Sequence, residues 1–277
     1  MNMLIISQLT IREAQRRKLL WVAVLMGIAF LLVFGIGFHY IQREILRYPP
    51  GLQQERIIYA FLLTAGMYAT NLLVTIVAVL VSVTTISGEI DSHTIDAIVT
   101  KPIRRWEVVI GKWLAFALLI LTYLLALSGG LMLLVYAMSG YRFEEIIPGL
   151  LMMSLAALLV LSLSIAGGTR LSTLANGVLV FMLFSIAYLG GLIEQIGSFI
   201  RNEAAVNIGI VTSLIMPADA LWKKALSYLQ PREFNSPMMA GPFAATTEPS
   251  GLMVAYAILY LIGLMIFAVW SFTRRDL

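Results

Sequence analysis

The sequence predicts an all-α integral membrane protein with six transmembrane helices. Three observations carry that prediction. Of 277 residues, 60% are hydrophobic and 12% are charged, with a mean hydropathy of +0.90, whereas a soluble domain carries roughly 25% charged residues. The charges are clustered, and the apolar runs between the clusters reach 20 residues or more, enough to cross a hydrocarbon core about 30 Å thick. Nothing alternates apolar and polar over about ten residues as barrel strands do, so the backbone must close its own hydrogen bonds as helix.

Taken in order, Met3–Lys18 mixes Leu4, Ile5, Ile6, Leu9 and Ile11 with Arg12, Arg16, Arg17 and Lys18. That pattern fits a helix lying at the membrane interface, residues 1–18. The spans follow at Leu19–Tyr40, Ile57–Ser87, Trp113–Met138, Ile146–Gly168, Leu171–Ile193 and Leu252–Phe272. The first is too long for the core of a cleaved signal peptide. The second exceeds what a bilayer needs and should tilt or project beyond it. Between the fifth and sixth spans, Val206–Met216 is apolar but too short to cross, and Pro217, Pro231, Pro237, Pro242 and Pro249 follow it. The external segment 194–251 is therefore expected to form re-entrant or interfacial helices before the last span. The whole chain, 1–277, reads as a single transmembrane domain.

Orientation follows from Lys and Arg in the connections. Eleven fall in the N-terminus, the second and fourth connections and the C-terminus, and four (Arg43, Arg47, Arg56, Arg142) in the first and third. Both termini should face the cytoplasm of a multi-pass protein in the cell membrane. The net charge of +4 belongs to this asymmetry and does not indicate a nucleic-acid partner; the partner it implies is membrane lipid.

Chemistry is sparse. There is no cysteine, which excludes disulfides and thiolate sites, and His39 and His93 are too far apart to suggest a metal site. No span carries an ionisable residue near its middle, against expectation for an ion-coupled carrier. Thr64, Thr70, Asn71, Thr75, Ser82, Thr84, Thr85, Ser162, Ser164 and Asn176 are the polar residues of the second, fourth and fifth spans. They read as interhelical hydrogen-bond partners, with Asn71, Thr75 and Asn176 as the alternative lining of a weakly polar path. Gly129, Gly130, Gly167, Gly168, Gly190 and Gly191 read as points of close helix approach. Gly111-Lys112 is no phosphate loop, since Trp113 stands where Ser or Thr must ligate magnesium and the earlier glycine is missing. Lys112 is expected to snorkel from the third span. His93 beside Asp91 and Asp96 lacks a nucleophile elbow or oxyanion loop. No enzymatic site and no cofactor site of the chain's own is expected.

The cytoplasmic segment 88–112 remains. Thr94 or Asp91 is placed to cap a short helix through Val99, ended by Pro102. A second short amphipathic helix, Trp106–Ile110, leads into the third span. Ile90, Ile95, Ile98 and Val99 form an apolar ridge that must be covered by the membrane surface or by a protein partner.

In this segment Glu89, Thr94, Pro102, Arg105, Gly111 and Lys112 resemble the corresponding connection of type-2 (ABC-2) permeases of ATP-binding-cassette transporters. The basic N-terminal stretch is similar to that family's amphipathic first helix, and Pro217-Ala218-Asp219 resembles an Asn-Pro-x-Asp element of its external loop. His93, Arg104 and Met216 depart from the family's usual Gly, Ser and Asn. The resemblance implies the membrane subunit of an exporter, acting as a dimer with a second permease copy or a related permease. Its energy would come from a separate cytoplasmic ATPase subunit that binds ATP and magnesium. Glu89–Val99 would be the coupling helix, with Glu89, Asp91, Thr94, Ile95, Ile98 and Arg105 as contacts to the ATPase. A membrane scaffold or regulatory subunit anchoring such an ATPase is the alternative, a secondary transporter a weaker one. The external segment is also placed to receive an accessory protein. Lipids, apolar drugs, peptides and polysaccharide intermediates fit the spans equally well.

Overall fold

The computed structural model describes residues 2–16, 18–91, 104–143, 145–230 and 248–274. In chain order its helices are α1 (Asn2–Arg16), α2 (Lys18–Arg47), α3 (Leu52–Asp91), α4 (Arg105–Ser139), α5 (Ile146–Gly168), α6 (Thr173–Phe199), α7 (Glu203–Ile215), α8 (Ala218–Leu229) and α9 (Gly251–Thr273). Six of these, α2 to α6 and α9, are long and apolar enough to cross a membrane.

Helix α5 is apolar on all sides and becomes the axis of the bundle. Met153, Leu159, Leu161, Ser162 and Ser164 are fully enclosed, and α3, α4, α6, α8 and α9 all pack on it. A helix without a polar face needs neighbours all round. The outer helices α2 and α9 instead turn most of their apolar surface outward, as with Leu25, Leu32, Val33, Leu259 and Ile266. In water such faces would drive aggregation, and in lipid they are the ordinary outer wall.

Two helices overrun the spans expected from hydropathy. α3 has 40 residues and α4 has 35, about 60 and 52 Å of helix, so both project past a 30 Å core. The short helix expected at Trp106–Ile110 is simply the first turns of α4. Its start is fixed locally: Arg104 is extended, and its backbone N–H donates to Glu107 Oε2 at 3.1 Å, so an acidic first-turn side chain serves an otherwise unpaired donor. Gly140 ends the helix in the left-handed conformation (φ 71°), donating to Tyr136 O at 2.8 Å.

Helix α1 crosses the start of α4. Ile6, Thr10 and Ala14 are buried on its inner side, and Gly111 provides the room, since a Cβ there would lie 2.9 Å from Ile6 Cγ2 and 3.1 Å from Met3 O.

After α6 the chain reverses. Arg201 takes a positive φ of 56°, and Asn202 N–H closes the turn on Gly197 O at 2.8 Å. The Asn202 side chain then caps α7 by accepting from Ala205 N–H at 3.2 Å. α7 runs back antiparallel along α6. Small residues set the approach: a Cβ at Gly197 would strike Ala205, one at Gly190 would strike Thr212, and one at Gly209 would strike Glu194. At Met216-Pro217 the chain turns, and α8 leaves at 108° to α7.

Candidate functional site

Hydrogen bonds between elements sort the polar side chains into two ends of the bundle. At the first end meet α1, the end of α3, the start of α4, the α5–α6 turn and the end of α9. Lys112 Nζ donates to Thr85 O at 3.1 Å, with the lysine only 3% exposed. Lys112 therefore does not snorkel; its ammonium is spent holding the last turns of α3 against α4. Arg105 Nη1 donates to Thr273 O at 3.2 Å, a carbonyl in the last turn of α9 that has no partner within its helix. A cation there also matches the negative end of the helix dipole. Thr169 Oγ1 and Ser271 Oγ lie 3.0 Å apart and Arg170 Nε donates to Ser271 Oγ at 2.7 Å, which fastens the α5–α6 turn to α9.

The sequence-predicted contact residues divide around this end. Arg105 lies on it. Glu89 and Asp91 belong to the last turn of α3, so the expected coupling helix does not begin as a separate element at Glu89. Thr94, Ile95 and Ile98 lie outside the described residues.

The opposite end is organised around α8. Lys223 Nζ reaches Glu194 Oε2 on α6 at 2.6 Å and Asp219 Oδ2 at 3.1 Å, and all three side chains are about nine-tenths enclosed. Burial pushes the Asp219 carboxyl up to about 6, against the Lys223 ammonium, which pulls it down; the Glu194 carboxylate adds to the rise. Gly191 makes room for this carboxylate, because a Cβ there would overlap Asp219 Oδ2. On its other side α8 sets Trp222 edge-on to Tyr68 of α3 at 4.7 Å between centroids. At the α7–α8 break, Tyr256 and Tyr260 of α9 donate their hydroxyls to Leu214 O at 2.7 Å and Ile215 O at 3.0 Å. These are last-turn carbonyls of α7 and need such partners.

Between the two ends, α3 and α6 enclose a laterally open apolar groove of about 300 Å³, lined by Leu72, Thr75, Val79, Phe181, Phe184 and Tyr188 among others. Thr75 bonds back to Asn71 O at 2.9 Å, so the groove presents almost no free polar group. Asn176 sits elsewhere. It is fully buried and donates to Ser164 O at 2.8 Å, tying α6 to α5. Gly167 lies directly against Asn176 Oδ1, whereas Gly129 faces nothing within 4 Å; the expected close approach is present at Gly167, Gly130, Gly190 and Gly191 and absent at Gly129.

Sequence reasoning missed the Glu194–Lys223–Asp219 triad. Asp219 and Lys223 stand at the four-residue spacing that joins neighbours on one helix face, which was the available signal. Glu194 lies outside that window.

No group of three or more potential metal ligands occurs among the described residues. Comparison with known families finds that residues 4–277 match the family model described as ABC-2 family transporter protein. No curated protein matches the chain significantly.

Proposed function

Because the chain belongs to the ABC-2 transporter family, as the permease subunit of an ATP-binding-cassette transporter, we propose that it forms an export path with a second permease copy and is driven by ATP hydrolysis in a separate ATPase subunit. The observation that carries the coupling part of this reading is the first end of the bundle. There, bonds link α3 to α4, α4 to α9 and the α5–α6 turn to α9, so a displacement at the start of α4 would be passed to several spans.

Coupling requires contacts that differ between two states of the ATPase. Arg105 and Lys112 suit that role because both bind main-chain carbonyls of other helices. Moving the start of α4 therefore loads the end of α9 through Arg105 and the end of α3 through Lys112. Glu89 and Asp91 at the end of α3 and the stretch through Thr94, Ile95 and Ile98 would form the docking surface, with ATP and magnesium held by the partner. The α3–α6 groove would be one wall of the path, with Thr75 in its lining, closed by the second copy. Its apolar lining favours a cargo with a substantial apolar part.

The test is purification of the chain with its cytoplasmic ATPase and comparison of hydrolysis and vesicle transport in Arg105→Glu. The complex should persist while transport per ATP falls at least tenfold. Full coupling in that variant would overturn the docking assignment, and absence of any ATPase from the purified assembly would overturn the proposal.

A further inference from the structure

The last turn of α9 gathers arginines from three separate parts of the chain. Arg274 belongs to the end of α9 itself, and its guanidinium carbon lies 4.8 Å from the centre of the Trp270 ring. Arg170 comes from the α5–α6 turn, 5.9 Å from the same ring, with Nε on Ser271 Oγ. Arg105 comes from the start of α4 and binds Thr273 O, one residue from Arg274.

Helix-dipole attraction and the Thr273 carbonyl account for Arg105. The same dipole favours Arg274 and Ser271 holds Arg170, but two guanidinium groups at one exposed indole also repel each other. Trp270 is 45% exposed and both arginines are exposed. Among the described residues neither Arg170 nor Arg274 has a carboxylate partner, and their side-chain contacts are Ser271 Oγ and the Trp270 ring. The place matters as well. α9 has 23 residues, about 34 Å of helix, so a helix crossing the hydrocarbon puts Trp270 and Arg274 at its edge. Indoles concentrate at that level, and phosphates lie just beyond it.

We propose that Arg170 and Arg274, beside Trp270, bind the phosphate of an anionic phospholipid in the leaflet at the basic end of the bundle. The guanidinium forks supply paired N–H donors to the phosphate oxygens, the bound charge relieves the repulsion between the arginines, and the acyl chains run along the apolar outer wall of α9. The site needs only a membrane and is independent of the ATPase.

The experiment reconstitutes the full chain in phosphatidylcholine vesicles and titrates in brominated phosphatidylglycerol or brominated phosphatidylcholine. Quenching is read as the difference between the native chain and Trp270→Phe. Phosphatidylglycerol should quench Trp270 preferentially. Arg274→Gln, which gives up the contact with the Trp270 ring but no hydrogen bond among the described residues, should cut that preference about fivefold, and adding Arg170→Gln should cut it about fivefold again, as expected for surface cations facing anionic lipid. Arg142→Gln, at the opposite end, should leave it unchanged. Equal quenching by the two lipids would overturn the proposal, as would an equal loss in Arg142→Gln, which would mark a general charge effect. Displacement of phosphatidylglycerol by millimolar inorganic phosphate would show a free-phosphate site and overturn the assignment to lipid.

Discussion

The two ends of the bundle use charge in different ways. At the first end, Lys112 and Arg105 bind main-chain carbonyls of other helices and Arg170 binds a hydroxyl. At the other, Lys223 is held between two enclosed carboxylates. Arg105 on its carbonyl adds a directional tie in exposed surroundings, at little desolvation cost, whereas Lys112 is enclosed and has its ammonium on the Thr85 carbonyl. A buried ion pair is costly to assemble and more costly to leave half-made. The first arrangement suits a joint that several helices share, and the second suits a element that must sit in one place. α8 is that element: it is fixed to α6 by the triad, to α3 by Trp222 on Tyr68 and, through the break before it, to α9 by two tyrosines.

The contrast is sharpest at Lys223. Lys223→Met leaves two carboxylates facing each other in an enclosed site, and should cost about 3–5 kcal/mol, read as thermal unfolding followed by helical circular dichroism in detergent. Adding Glu194→Gln should recover a large part of that loss. A double variant as unstable as the single one would show that the triad is not coupled.

Glycine substitutions test the packing next. Gly191→Val drives a Cβ into Asp219 and should cost about 1–3 kcal/mol by the same assay. Gly129→Ala, with nothing within 4 Å, should be neutral or stabilising by up to about 1 kcal/mol from helix propensity. Equal effects at the two positions would contradict the close approach of α8 to α6.

The smallest expected effect is on pH dependence. The folded Asp219 carboxyl sits near 6 against 3.8 ordinarily. Between those values the folded chain retains a proton that the unfolded chain has released, so this group's contribution is largest below about pH 4 and declines as pH rises to about 6. Asp219→Asn should flatten that part of the stability profile. An unchanged slope would assign it to another group.

Much of this fold is legible in the sequence because the membrane imposes it. Runs that must be helix in lipid are helix, and the short apolar run at Val206–Met216, with Pro217 after it, becomes the bent α7–α8 pair. What hydropathy does not reveal is where a helix stops once outside lipid. α3 continues through Gly88 and Glu89 to Asp91, and α4 starts at Arg105, because the i to i−4 ladder survives in water wherever neighbours support it. The sites were harder to read. By sequence Lys112 is a boundary lysine, and only the passage of α3 beside it makes it a buried tie. The triad joins residues 29 positions apart in its Lys223–Glu194 pair, a separation with no local pattern. Arg105 was identified through family resemblance, and its bond to Thr273 depends on α9, some 170 residues later in the chain.

The proposed function assigns the two ends different partners: the basic end would receive the ATPase and the opposite end would not. The chain contains no cysteine, so single cysteines report without background. Glu89→Cys, in the last turn of α3, and Glu248→Cys, at an exposed carboxylate that meets Lys224 of α8 at 2.6 Å, place one thiol at each end, and maleimide labelling in membranes is compared with and without the ATPase that purifies with the chain. Strong protection is expected at position 89 and none at position 248. Equal labelling of position 89 in both preparations, or protection at 248 instead, would contradict it.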